Sequence, residues 1–197
     1  MKIFRMELVI SSALLAVLTV VIAVPLLAHR RHIRLAAEDG LRREVGENNE
    51  GVKELREAIP EEVKNISGIV SLLEQREAGH AADGSHVKIG LAVMSLTNAN
   101  WQAATATGSV GSMDYDKVQR YAGAYFEQAR LAQLQTATLE SMMSLSSYVG
   151  HGEKISSMSP EQARTAEIQA SALLAHLRMM YRMSDGVQGA YKVALGS

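Results

Sequence analysis

Apolar and polar residues are distributed along this chain in two ways, and the first stretch is simply apolar throughout. Residues 8–28 read LVISSALLAVLTVVIAVPLLA, without a charged side chain. As a helix rising ~1.5 Å per residue, that run spans about 30 Å, the thickness of a bilayer's hydrocarbon core. The pattern therefore predicts a tail over 1–7 and one transmembrane helix over 8–28. Inside it Ser12, Ala16, Thr19 and Ala23 recur at helical spacing, a seam of small residues along which another membrane helix can pack closely. Pro25, near the far end, predicts a mild kink. A cleavable signal peptide is the alternative, with Val21-Ile22-Ala23 as its cut site, but the apolar run continues past that point.

Beyond residue 28 the apolar positions fall into threes and fours, the period of a helix that buries one face. Leu41, Val45, Asn48, Val52, Leu55, Ile59, Val63, Ile66, Val70 and Leu73 make one such stripe. It predicts a membrane-proximal long helix over 29–77, kinked or interrupted near Pro60. Asn48 stands on the stripe as a polar residue, either fixing register or bonding a neighbouring backbone. Residues 78–96 read as a glycine-bracketed loop and then an apolar segment, ambiguous between helix and extended chain. A short helix follows over 98–107, with Thr97 to cap it, Gly108 to stop it and Trp101 as a packing anchor.

A long helix over 115–148 carries two apolar stripes, one through Val118, Tyr125, Ala129, Thr136 and Met143, the other through Leu131, Thr138 and Leu145. Two faces predict two neighbours, hence a place in the middle of the bundle. The last long helix, 160–195, opens on Ser159-Pro160-Glu161, a cap, a first-turn proline and an acid. Ala163, Ala166, Ala170, Leu173, Leu177, Met180, Ser184, Val187, Tyr191 and Ala194 then hold the three-four alternation without a lapse, the seam of a bundle or coiled coil. The fold class expected is all-α: one N-terminal transmembrane helix continuing into an extramembrane antiparallel helical bundle of three long helices plus one short helix. Its packing residues would include Asn48, Trp101, Tyr125, Leu173, Leu177 and Met180.

Composition changes this picture little. With 197 residues, 3 prolines, 10 methionines and 5% aromatics, helix is favoured over strand. A formal net charge of −1 gives no case for nucleic acid, which calls for a basic excess. The absence of cysteine excludes disulfides and thiolate chemistry. Charge placement bears on orientation: Lys2 and Arg5 precede the apolar run, and Arg30, Arg31 and Arg34 follow it. The positive-inside rule leans towards a cytoplasmic C-terminal part, with a periplasmic one left open.

Several motifs together resemble a known layout. The apolar span is followed by Glu44 to Asn48. Then come Trp101, Ala104, Thr107 and Gly108 in a W-x-x-A-x-x-[ST]-G pattern, and a helix with Tyr125 and Gln128. Over residues 1–140 this resembles a loose group of uncharacterised bacterial single-pass membrane proteins with a helical domain. The resemblance implies a bacterial inner (cytoplasmic) membrane location and a fold, not a chemistry.

Candidate chemistry is sparse. His80, Asp83 and His86 share one loop without the spacing of a zinc site. His176, Met179 and Met183 offer ligands that suit copper(I), but methionines at helical spacing more often fill cores. The acids Glu44, Glu47, Glu54, Glu57, Glu61 and Glu62 read as a solvated face. No phosphate loop or nucleophile elbow is present. No enzyme activity, cofactor or metal is expected. The function expected is a membrane-anchored helical scaffold or accessory subunit, docking onto a larger membrane assembly or onto itself. The alternative is a single-pass sensor that transmits signals through its membrane-proximal helix.

Overall fold

The structure, a computed structural model, describes residues 2–81, 89–149 and 154–196, and the side chains of all of these except 2–20 and 22. The described residues form four α-helices: α1 (Lys2–Glu77), α2 (Ala99–Ala106), α3 (Tyr115–Val149) and α4 (Pro160–Leu195). Single 3-10 turns at Ser109–Ser112 and Ile155–Ser157 lead into α3 and α4. No strand occurs among the described residues.

Cross-links between helices set their directions. Arg56 of α1 pairs with Asp185 of α4 at 2.7 Å, and Arg164 of α4 with Glu77 of α1 at 3.8 Å, so these two run antiparallel. Lys117 of α3 meets Glu38 of α1 at 2.7 Å, while Tyr125 and Gln128 lie beside Glu44 and Asn48, so α3 runs parallel to α1. Between them residues 89–98 travel the opposite way without regular secondary structure, and α2 continues that direction. The architecture is an up-down-up-down bundle whose second member is an extended strap joined to a two-turn helix.

The strap is close to full extension. From Ala92, bonded to Glu62, to Asn100, bonded to Glu44, it covers a length of α1 of about 27 Å at ~1.5 Å per helical residue. Six extended steps of ~3.3 Å to Asn98 and two helical steps of ~1.5 Å give about 23 Å, and the reach of the Glu62 and Glu44 side chains covers the difference. Its side chains alternate accordingly: Ala92, Met94 and Leu96 turn inward, Val93 and Ser95 outward. The apolar segment left ambiguous in sequence is therefore extended chain.

α4, not α3, is the middle element. It packs along both α1 and α3, whose backbones stand further apart and meet through long side chains such as Lys117 with Glu38 and Tyr125 with Glu44. Every position of its seam from Ala163 to Ala194 is buried, and Ser159 caps it in a reciprocal box with Gln162. On α3 the stripe ending in Met143 fails, for Ala129, Thr136 and Met143 are exposed. The buried face is Tyr121, Ala124, Tyr125, Gln128, Leu131, Thr138, Leu145 and Val149. Its second neighbour is the strap rather than a helix.

Nor is α1 interrupted. It is one helix of 76 residues passing through Pro25 and Pro60. Pro60 lies on the exposed side while Ile59 is fully buried, so the proline ring is kept out of the core. The segment 8–28 shares this helical backbone, but the side chains of 8–20 and 22, and with them Ser12, Ala16 and Thr19, lie outside the described residues; Ala23 is half-buried. Among the described residues no helix is long and apolar enough to cross a membrane.

Candidate functional site: a buried polar clasp

Three elements bring polar side chains into the end of the bundle nearer residue 30. Helical spacing puts Glu44 and Asn48 on one face of α1, and Tyr125 and Gln128 on one face of α3. Tyr191 comes from the last turns of α4. All five are buried, and the strap's end, Thr97 to Asn100, lies among them.

Asn48 holds the strap as a partner strand would. Its Oδ1 accepts the Thr97 N–H at 3.1 Å and its Nδ2 donates to the Thr97 carbonyl at 2.7 Å. Nδ2 also donates to Gln128 Oε1 at 3.0 Å, which in turn accepts the Tyr191 hydroxyl at 2.8 Å. Gln128 Nε2 donates to the same Thr97 carbonyl at 2.9 Å. Thus the stripe asparagine bonds both a backbone and a neighbouring helix.

Glu44 corrects the sequence reading most sharply. It is no part of a solvated face but 2% exposed. Its Oε1 accepts the Tyr125 hydroxyl at 2.5 Å, and its Oε2 accepts the Asn100 N–H at 2.9 Å and the Thr97 hydroxyl at 3.3 Å. Three donors compensate the desolvation of a buried carboxylate. One of them, the Asn100 N–H, belongs to the first turn of α2, where free N–H groups and the helix dipole favour negative charge. The formal cap residue is Asn98, without a side-chain capping bond; Glu44, from another helix, does that work.

Close approach makes this possible. A Cβ on Gly40 would lie 3.1 Å from Asn100 Oδ1, so the glycine lets α2 start against α1. Trp101, half-buried, stacks on Tyr125 with ring centroids 5.3 Å apart and planes at 23°.

Electrostatics fix the phenols as donors. Burial pushes Tyr125 far above the usual phenol range, and its hydrogen bond to Glu44 adds to the shift. Tyr191 is raised by burial and then by the Glu44 charge. Both shifts favour the protonated phenol, the form that donates the hydrogen bonds to Glu44 and Gln128.

A second pair of contacts holds the strap further along. Gln135 accepts the Met94 N–H at 3.2 Å and returns a bond to the Met94 carbonyl at 3.0 Å, and Glu62 Oε1 accepts the Ala92 N–H. Burial raises the Glu62 pKa, with the Ala92 bond opposing. Glu62 too departs from the solvated face expected of it, for its second carboxylate oxygen is buried without a partner.

Of the remaining candidates, Leu173, Leu177 and Met180 are fully buried in the α4 seam, away from the clasp. His176 bonds Ser141 at 2.9 Å while Met179 is 44% exposed. Asp83 and His86 lie outside the described residues. Among the described residues no group of three or more His, Asp or Glu is placed to hold a metal.

Sequence reasoning did not see Thr97, Gln135 or Glu62 as strap contacts. The one signal available was Asn48, the polar residue on the α1 stripe. Chemically the clasp is a latch: its donors and acceptors answer one another across four segments. Comparison with family models, with curated proteins and with solved structures gives no match.

Proposed function

We propose that the chain is a single-pass, membrane-anchored helical scaffold or accessory subunit, held in a bacterial inner membrane by residues 8–28. The observation that carries the anchor is exposure. Val21, Val24, Leu26 and Leu27 are each more than half exposed, and Arg30, Arg31 and Arg34 follow at once. An apolar rod ending in arginines suits lipid followed by headgroups. α1 then continues as one helix into the bundle, so the tether and the domain share an element.

The docking part of this reading is supported by what the bundle does with its polar groups. They serve to fix the strap, and the outer faces of α3 and α4 leave Phe126, Met143, Ile168 and Met179 exposed for other subunits of a membrane assembly or a second copy. The unbroken α1 also suits a sensor that passes motion along its axis. Against that, the stripe from Leu41 to Ile59 is already buried inside the chain's own bundle, where a dimerising signalling helix would need it free.

Two measurements test the proposal. Alkaline carbonate washing of native membranes should leave the chain in the pellet; recovery in the supernatant overturns the anchor. Purification in mild detergent with mass-based sizing should then give a complex larger than the 21.3 kDa chain. A lone monomer overturns the scaffold.

A further inference from the structure

The bundle's first turn meets α1 in a cleft of about 310 Å³, lined by Leu27, Arg30, Arg31, Arg34 and Ser112. We propose that this cleft is a binding site for a phosphate-bearing anion, whether on a lipid headgroup or on a free phosphate ester.

Three guanidinium groups and no acid line it. Their spacing of three and four residues gathers them on one side of the helix, where like charges repel one another. Arg30 and Arg31 have no ion pair among the described residues. Arg34 has only a distant one: its Nε lies 3.7 Å from Glu38 Oε1, beyond hydrogen-bonding range. The other oxygen of Glu38 is taken by Lys117 at 2.7 Å.

That leaves a buried Arg34 Nε–H without an acceptor, a group that normally finds one. An oxyanion in the cleft supplies the counter-charge that Arg30 and Arg31 lack. Phosphate is the fitting class, because guanidinium forks match its oxygens with paired, charge-assisted hydrogen bonds. Ser112 contributes a wall rather than a donor, since its hydroxyl is already bonded to the Ser109 carbonyl at 2.7 Å. Leu27, one turn towards the apolar run, marks the side from which an acyl chain would enter. The lipid source rests on the anchor reading above; the anion site does not.

The test uses the full chain and two probes. Flotation is measured with phosphatidylcholine vesicles, with and without phosphatidylglycerol, and glycerol 3-phosphate is titrated by calorimetry in neutral detergent. With a lipid headgroup as ligand, phosphatidylglycerol strengthens vesicle binding about tenfold, the scale of one charge-assisted contact. Ser112→Trp, at an exposed position, fills the cleft without altering charge and removes that gain, as does Arg31→Gln with Arg34→Gln. Arg178→Gln with Arg182→Gln, the same charge removed elsewhere, keeps it.

Glycerol 3-phosphate binding that Ser112→Trp abolishes, without a phosphatidylglycerol gain, supports the site and assigns it to a free ester. If the chain fails to float on neutral vesicles while this titration succeeds, the anchor falls and the site stands. A gain that survives Ser112→Trp, or that the distant arginine pair removes equally, shows diffuse charge and overturns the site. So does the absence of both responses.

Discussion

The two ends of this bundle are packed on different principles. From Ile59 towards the far end the fully buried side chains are mostly apolar: Ile66, Ile69, Leu73, Leu145, Ile155, Leu173 and their neighbours, with the hydroxyl of buried Thr138 bonded back to its own helix at the Leu134 carbonyl. On the other side of Ile59 the core includes Glu44, Asn48 and Gln128. The apolar end gains cohesion from area removed from water, which does not depend on direction. It would tolerate a sliding strap or a repacked side chain. The polar end depends on matched donors and acceptors, and those admit one alignment of residues 89–98. Cohesion and register are thus located in different places along the same helices.

Substitutions that preserve shape separate the two. The largest effect is expected from Asn48→Asp, nearly isosteric, which removes the donors to Thr97 and Gln128 and puts a second acid beside Glu44. It should cost about 4 kcal/mol in urea unfolding and alter the emission of Trp101, the chain's only tryptophan, before global unfolding. If Asn48→Asp were as stable as the wild type, the polar end would not be setting register. Leu73→Ala, at the dry end, should cost about 3 kcal/mol through lost burial and a cavity while leaving Trp101 emission of the folded state unchanged. A shifted native emission there would mean that the ends are not separable.

The smallest effect concerns pH. Because burial raises the Glu62 pKa, the folded chain holds that proton more tightly than the unfolded one. The stabilisation is full below the unfolded value and is lost as pH rises through the folded value. Glu62→Gln should flatten stability over that window and raise it slightly towards neutral pH. Unfolding midpoints at several pH values measure this. An unchanged slope would remove Glu62 from the account of how the strap is held.

How far the sequence revealed this depends on whether each residue's position was decided locally. The seam of α4 was legible because a strict period and a strong cap agreed with each other. The place of α3 was not, since alanine, threonine and methionine at Ala129, Thr136 and Met143 suit a covered or an open face equally. The burial of Glu44 had no local signature at all; it depends on donors from Thr97, Asn100 and Tyr125, 53 to 81 residues away. The strap was too short and too apolar for period alone to settle, although the inward alternation of Ala92, Met94 and Leu96 is visible afterwards. Pro60 does not end α1, which runs on to Glu77 with the proline on its exposed side.

A line drawn taut between two fixings has no slack to give. Deleting a single residue between Ala92 and Thr97 would leave the segment about 3.3 Å short of its far attachment. Inserting one would turn Met94 or Leu96 out and Val93 or Ser95 in. Length variation in this chain should therefore be excluded from those few positions, however freely the bend that precedes them is lengthened or trimmed.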